Sequence, residues 1–319
     1  MRLLKYAAVL VLSLVAATVQ AQKYPSKPIR MIVGFAPGGG TDLTARPVAQ
    51  KLSELLGQQV IVENRPGAAG NVATEQVAKS APDGYTLLMG TIAALAINPS
   101  LYGNLRFDPE TDLAPVIQVV DATNVLALHP SVPASSVKEL IALAREKSLL
   151  AGSSGIGATG HLAIELFNLM AGVKLVHVPY KGGGPAMSDL VGGQVNLIFA
   201  TTASSIPHLK SGRIKGIAVT TAKRSALLPD LPTISEAGLE GFDANNWYGL
   251  VVPAKTPRAI IDQLNAGVTK VLAMPDVKTT LFNQGLDPAP GTPEQFGAYI
   301  RSERAKWAKV IKESGAKPE

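Results

Sequence analysis

Val33-Gly34-Phe35-Ala36-Pro37-Gly38-Gly39-Gly40-Thr41-Asp42 is the stretch from which the fold is read. An apolar run, Ile29 to Val33, precedes it and reads as a strand. Ala45, Val48, Ala49, Leu52, Leu55 and Leu56 follow it at helical spacing. A strand, a glycine loop and a helix start gather backbone N–H groups that lack helical partners, and the positive end of the helix dipole points the same way. Such a place holds a small anion without a charged side chain.

The same order recurs. Gly57 reads as the cap of the first helix. Gln59 to Val62 is a strand, Arg65 to Gly70 a turn-rich loop, and a short helix runs to Lys79. Pro82-Asp83-Gly84 is a turn before a strand ending at Gly90-Thr91. Further on, Leu149 to Gly152 is a strand, and Ser153-Ser154-Gly155-Ile156-Gly157-Ala158-Thr159-Gly160 a second glycine loop. A helix from His161 ends at Gly172, Leu175 to Val178 is a strand, and Pro179 to Pro185 is another glycine loop. Val195 to Phe199 is a strand ending at Ala200-Thr201-Thr202. Gly57 pairs with Gly172, and Thr91 with Thr201. Each half therefore reads as an α/β lobe of largely parallel strands with anion-friendly loops at their carboxyl ends. Trp247 to Pro253 reads as a strand. Three helical segments then start near Thr256, Pro275 and Thr292. They pack on one of the two lobes. Return to the first lobe would make the chain cross between lobes more than once, an arrangement suited to closure around a ligand.

Composition narrows the function. Arg2 and Lys5, the apolar run Ala7–Val19 and the small residues Val19-Gln20-Ala21 read as an export signal with Gln22 as the new N-terminus. The run is short of the ~20 residues that span a bilayer. Cysteine is absent, which excludes a thiol nucleophile and thiolate metal sites. The formal charge of +6 falls to +4 without Arg2 and Lys5, and the remaining cations are scattered or interleaved with acids. That pattern disfavours nucleic acid and mildly favours anionic solutes.

Catalytic patterns do not assemble. Gly40-Thr41-Asp42 lacks the lysine of a phosphate loop. His129, His161, His177 and His208 show no zinc-site spacing, and His161 with Glu165 is a single pair, read as bracing or pocket wall. Gly152-Ser153-Ser154-Gly155 is not a nucleophile elbow. No metal and no cofactor is expected. Trp247 and Tyr248 read as core or hinge packing, and Tyr180 as facing the cleft. Asp42 has two readings: a cap for its helix, or an acceptor for a ligand amine.

The chain resembles the substrate-binding proteins of tripartite tricarboxylate transporters, the Bug receptors. The resemblance runs in order through Ile32 to Gly39, Val62 to Ala68, Pro82 to Leu88, Ile97-Asn98-Pro99, Gly155-Ile156-Gly157, Val178 to Gly182, Leu231-Pro232-Thr233 and Asn246 to Gly249. It implies a two-lobe periplasmic binding protein of the Venus-flytrap type (type II-like), each lobe a mainly parallel sheet flanked by helices. Residues 1–21 would be the signal peptide, 22–123 with 245–319 the first lobe, and 124–244 the second. It also implies a small carboxylate ligand (a di- or tricarboxylate, an amino acid or an aromatic acid) and delivery by a monomer to the membrane permease subunits.

The expected ligand-binding residues are Phe35, Ala36, Pro37, Gly38, Gly39, Gly40, Thr41, Asp42, Thr91, Ser154, Gly155, Gly157, Thr159, His161, Tyr180 and Thr201. Ala158 stands where many relatives carry Ser or Thr, which makes a citrate-like ligand less secure. A sensor receptor for the same ligands and an exported hydrolase on the same architecture remain alternatives.

Overall fold

The structure, a computed structural model, describes residues 24–318; the export segment read above lies outside them. The first sheet begins with β1 (Ile29–Val33), buried except at Arg30. The glycine loop follows, then α1 (Gly40–Leu56), whose buried stripe Ala45, Val48, Ala49 and Leu52 packs against the sheet. Gly57, in the left-handed conformation at φ 66°, ends it. Then come β2 (Val60–Asn64), α2 (Asn71–Ala78) and β3 (Thr86–Thr91). A π-helical turn, Ala93–Ile97, runs into α3 (Asn98–Leu101).

β4 (Leu113–Ala122) leads through Thr123 into β5 (Asn124–Leu128), the first strand of a second sheet. That sheet is completed by α4 (Val137–Glu146), β6 (Leu150–Ser153), α5 (Thr159–Ala171), β7 (Val176–Pro179), α6 (Gly183–Val191), β8 (Leu197–Thr201), α7 (Thr202–Lys210) and β9 (Lys215–Val219). The chain returns with β10 (Asn246–Pro253), α8 (Arg258–Ala273), α9 (Pro275–Phe282), β11 (Leu286–Pro288) and α10 (Pro293–Ser314). The strand orders are β11-β4-β10-β3-β1-β2 and β7-β6-β8-β5-β9. The molecule is a two-lobe α/β protein.

The expectation of mainly parallel sheets needs correction. β1 runs parallel to β2 and β3, and β6 parallel to β7 and β8. β10 is antiparallel to β3 and β4, as is β11 to β4 and as β5 is to β8 and β9. The cause is the direction of entry. β1, β3, β6 and β8 end at the cleft, where their glycine and threonine loops lie. β5 and β10 enter their sheets from the crossing between lobes and run away from the cleft. Two further local differences stand out. α6 starts at Gly183, so the last three of the seven residues in the expected Pro179–Pro185 loop belong to the helix's first turn. The segment between Thr91 and Leu149, left without elements in the sequence reading, holds β4, β5 and α4.

The crossings are tied together. Thr202 donates its N–H and hydroxyl to Thr123 O, at 2.9 and 3.1 Å, and its hydroxyl also reaches Gly285 O at 2.9 Å. Thr220 N–H donates to Asn124 O at 3.0 Å, and its hydroxyl to Ala244 O at 2.9 Å. α10 lies along β4 and the π-turn and buries Trp307 beside Trp247 in one apolar cluster that continues into the second lobe. Both indole N–H groups, on side chains with no exposed surface, donate to Glu303 Oε2, at 3.4 Å from Trp247 and 3.2 Å from Trp307. Glu303→Ala orphans both donors, and we expect a loss of roughly 2–4 kcal/mol in urea unfolding. Glu303→Gln, which keeps an acceptor, should recover most of it.

Candidate functional site

The cleft between the lobes closes over a narrow cavity of about 40 Å³. Four helices start at its wall. Gly39, Gly40 and Thr41 come from the start of α1, Ala158, Thr159 and Gly160 from α5, Gly183 from α6, and Thr201 with Ser204 from α7. None of these four helices has a side chain capping its first turn: the cap positions are Gly39, Ala158, Gly182 and Thr201. Away from the cavity, α4 and α10 are capped by Ser136 and Thr292, whereas α2, α3, α8 and α9 also lack a side-chain cap. Each uncapped start presents N–H donors and a partial positive charge, worth about 0.3–1 kcal/mol to an anion and up to ~2 when partly buried.

Among the described residues, no charged side chain lines this inner cavity. Its polar groups are hydroxyls and amides. Thr91 Oγ1 and Asn124 Oδ1 are buried there without any hydrogen-bond partner. Burying such atoms unpaired is costly; Asn98 Oδ1, His208 Nδ1 and Gln284 Oε1 share that state outside this cavity. Burial pushes the Tyr248 phenol up to about 12, against the opposing pull of hydrogen bonds with Thr41 and Asn246. It is a neutral hydroxyl held at the wall.

The lobes touch through backbone. Ala36 N–H donates to Lys181 O at 3.1 Å, and Tyr102 OH to Ile156 O at 2.9 Å. Glycine permits this approach. A Cβ on Gly182 would lie 2.8 Å from Ala36 N, one on Gly40 2.6 Å from Thr201 Oγ1, and one on Gly184 would collide with Pro37 O.

Of the residues expected from sequence, Phe35, Gly39, Gly40, Thr41, Thr91, Ser154, Thr159 and Thr201 line the inner cavity. Gly155 and Tyr180 line a second, outer cavity. Ala36, Pro37, Gly38, Asp42, Gly157 and His161 line neither. Ala36 and Pro37 form the lobe contact just described.

Asp42 is not at the cap position, which belongs to Gly39; it sits in the first turn, 3% exposed. Its carboxylate accepts from Arg46 Nε and Nη2 (2.9 and 2.8 Å), Asn64 Nδ2 (3.0 Å) and Gly38 N (3.1 Å). Burial alone would raise its pKa, but these hydrogen bonds outweigh burial and hold the carboxyl below its usual range. Asp42 therefore braces the glycine loop from behind.

His161 braces the other loop. Gly157 N–H donates to its Nδ1 at 3.0 Å, and its ring stacks on His177 at 4.2 Å between centroids. His177 Nε2 shares a 2.6 Å hydrogen bond with Ser153 Oγ, which also holds Gly155. Ala158 is buried against Phe35, Ala69 and Ala93.

The sequence reading missed Asn124, Asn246 and Tyr248, which enter from the crossing strands. Their available signal was position: each asparagine opens a strand beside a lobe crossing.

The sequence matches the profile of the tripartite tricarboxylate transporter family receptor, TctC, over residues 44–316. The chain belongs to this family of periplasmic solute receptors. It is 39% identical to Protein BugT of Bordetella pertussis over 306 residues, 95% of this chain and 94% of that protein. A structure of R. palustris Rpa4515 with adipate superposes with a TM-score of 0.90 at 40% identity, covering 93% of this chain and all of that one. MatC of Rhodopseudomonas palustris with bound malate gives 0.87 at 31% identity, covering 90% of this chain and all of that one. No described helix of this receptor is long and apolar enough to cross a membrane.

The histidine pair gives this receptor a pH dependence. Burial depresses His161 to about 4; burial, with the charge of His161 second, depresses His177 to about 3. Both pKa values lie below the ordinary value near 6.5, so between about pH 6.5 and pH 4 the unfolded chain binds more protons than the native one. The pair's contribution to stability should be fully present above pH 6.5 and fall as the pH drops through that window. Thermal melts from pH 7.5 to 4 should show that decline. His177→Asn should flatten it, and an unchanged slope would contradict this assignment.

Proposed function

We propose that the receptor captures a small carboxylate in the inner cavity and delivers it to the membrane permease subunits of a tripartite tricarboxylate-type transporter. The observation that carries this reading is the pair of buried, unpartnered atoms Thr91 Oγ1 and Asn124 Oδ1 in a cavity ringed by four uncapped helix starts and no charge. The helix N–H groups suit a carboxylate. Thr91 can donate to it as well. Asn124 Oδ1 needs a donor, which a hydroxyl, an ammonium or a carboxylate-bound water supplies. The relatives with adipate and malate agree with this chemistry.

In this reading residues 22–123 with 245–319 and residues 124–244 are the two lobes, and closing them buries the acid. The protein acts as an exported monomer, freed of residues 1–21, in the periplasm. Capture and release involve no covalent step, and the hydroxyls serve as hydrogen-bond partners.

A thermal-shift panel of di- and tricarboxylates, amino acids and aromatic acids tests the reading. A ligand at about one hundred times its dissociation constant should raise the melting temperature by roughly 5 °C. No shift from any acid would sink solute capture. Gly184→Ala should weaken the best acid by about tenfold or more, because the new methyl meets Pro37 O only when the lobes are shut. Its ligand-free melting temperature should not fall, since alanine suits the first turn of α6. Equal affinity in this variant, measured by calorimetry, would contradict closure on the ligand.

A further inference from the structure

The lobes also meet beside the cavities, where the glycine loop of the second lobe reaches a notch in the first. Asn98 and Leu101 of α3, with Tyr102 just after it, form the notch, and Gly157 sits in it. A Cβ on Gly157 would collide with Asn98 Oδ1 and lie 3.0 Å from Leu101 Cδ2 and 3.2 Å from Tyr102 Cε2. Its φ of 83° suits glycine as well. Neither Asn98 nor Gly157 lines either cavity.

The polar groups of this notch fare unequally. Tyr102 donates its hydroxyl across the cleft to Ile156 O at 2.9 Å, a hydrogen bond that holds the lobes together. Asn98 has no exposed surface. Its Nδ2 donates to Asn71 Oδ1 at 2.7 Å and to Ala69 O at 3.4 Å, both within the first lobe. Its Oδ1 lies against Gly157 and accepts no hydrogen bond. The Gly157 hydrogen that stands in place of a Cβ points at this oxygen, and a C–H donor is worth roughly half an N–H one. Parting the lobes takes Gly157 away and lets water donate to Oδ1 in full. The shut form therefore leaves dry an acceptor that the open form satisfies.

We propose that Asn98 is a counterweight to closure: its carboxamide oxygen disfavours the shut form, keeps the empty receptor open and lets a captured solute leave. A solute in the inner cavity offsets that cost, and the Tyr102 hydrogen bond pulls the same way as the solute. Asn98 is a positioning residue. It touches no solute and sets affinity through the population of the shut form, so its effect is common to every solute. This inference rests on the proposed capture between closing lobes and adds what limits its tightness.

Calorimetry and dissociation kinetics of Asn98→Ala, with the best acid of the thermal-shift panel and two weaker ones, test the counterweight. The variant should bind each acid about five- to tenfold tighter, by one common factor and mainly through slower dissociation. Its ligand-free melting temperature should nevertheless fall, because the hydrogen bonds to Asn71 and Ala69 are lost in open and shut forms alike. A merely structural role would lower stability and affinity together. Asn71→Ala removes the same bond and keeps Asn98 Oδ1 against Gly157, so it should lose stability without gaining affinity. Asn98→Ser makes the same test if the alanine variant does not fold. Unchanged or weaker binding in the Asn98 variant, or an equal gain in Asn71→Ala, overturns the counterweight and leaves capture standing. If no acid binds the unaltered protein or the variant, capture falls, and X-ray scattering of the ligand-free proteins decides the counterweight: a smaller radius of gyration in Asn98→Ala upholds it, and an equal one overturns it.

Discussion

Helix starts without a side-chain cap, at α1, α5, α6 and α7, are the constraint on which the rest depends. A helix start buried without a cap is unfavourable unless something else accepts its hydrogen bonds. Four such starts around one cavity create a shared demand for an acceptor. In the proposed reading an anion answers it, and no cationic side chain is required. A site built this way would recognise the carboxylate group itself, and discrimination among acids would pass to the shape beyond it.

That arrangement needs close packing across the cleft and rigid loops behind it. Glycine supplies the first at Gly40, Gly182 and Gly184, where any side chain would strike the opposite lobe. Buried polar side chains supply the second. Asp42, tied to Arg46, Asn64 and Gly38, stiffens one loop, and His161, His177 and Ser153 stiffen the other. In both loops a titratable group that looked like candidate chemistry in sequence is turned away from the cavity. The charge of Asp42 is satisfied locally, so it places no negative field against an incoming anion.

The parts of this design that repeat within short spans were legible in the sequence. A strand, a glycine loop and an apolar helical stripe lie within about thirty residues, and their local propensities agree. This gave β1, α1, β6 and α5, with Gly57 and Gly172 as stops. What could not be read was set by pairing distant in sequence. β10 was visible as an apolar strand, but its direction depends on β3 and β4, more than a hundred residues upstream. Asn124 and Asn246 become cavity residues only because the lobe crossings bring both strand starts to the cleft. The outward turn of Asp42 depends on Asn64, which reaches it from the end of the neighbouring strand β2.

The most direct measurement is a crystal structure of the protein with a bound carboxylate. The account predicts one carboxylate group within hydrogen-bond distance of the first backbone N–H groups of α1 and α5, with Thr91 donating to it and no side-chain cation in contact. A ligand held outside the inner cavity, or one engaging Asp42 in place of the helix starts, would contradict it.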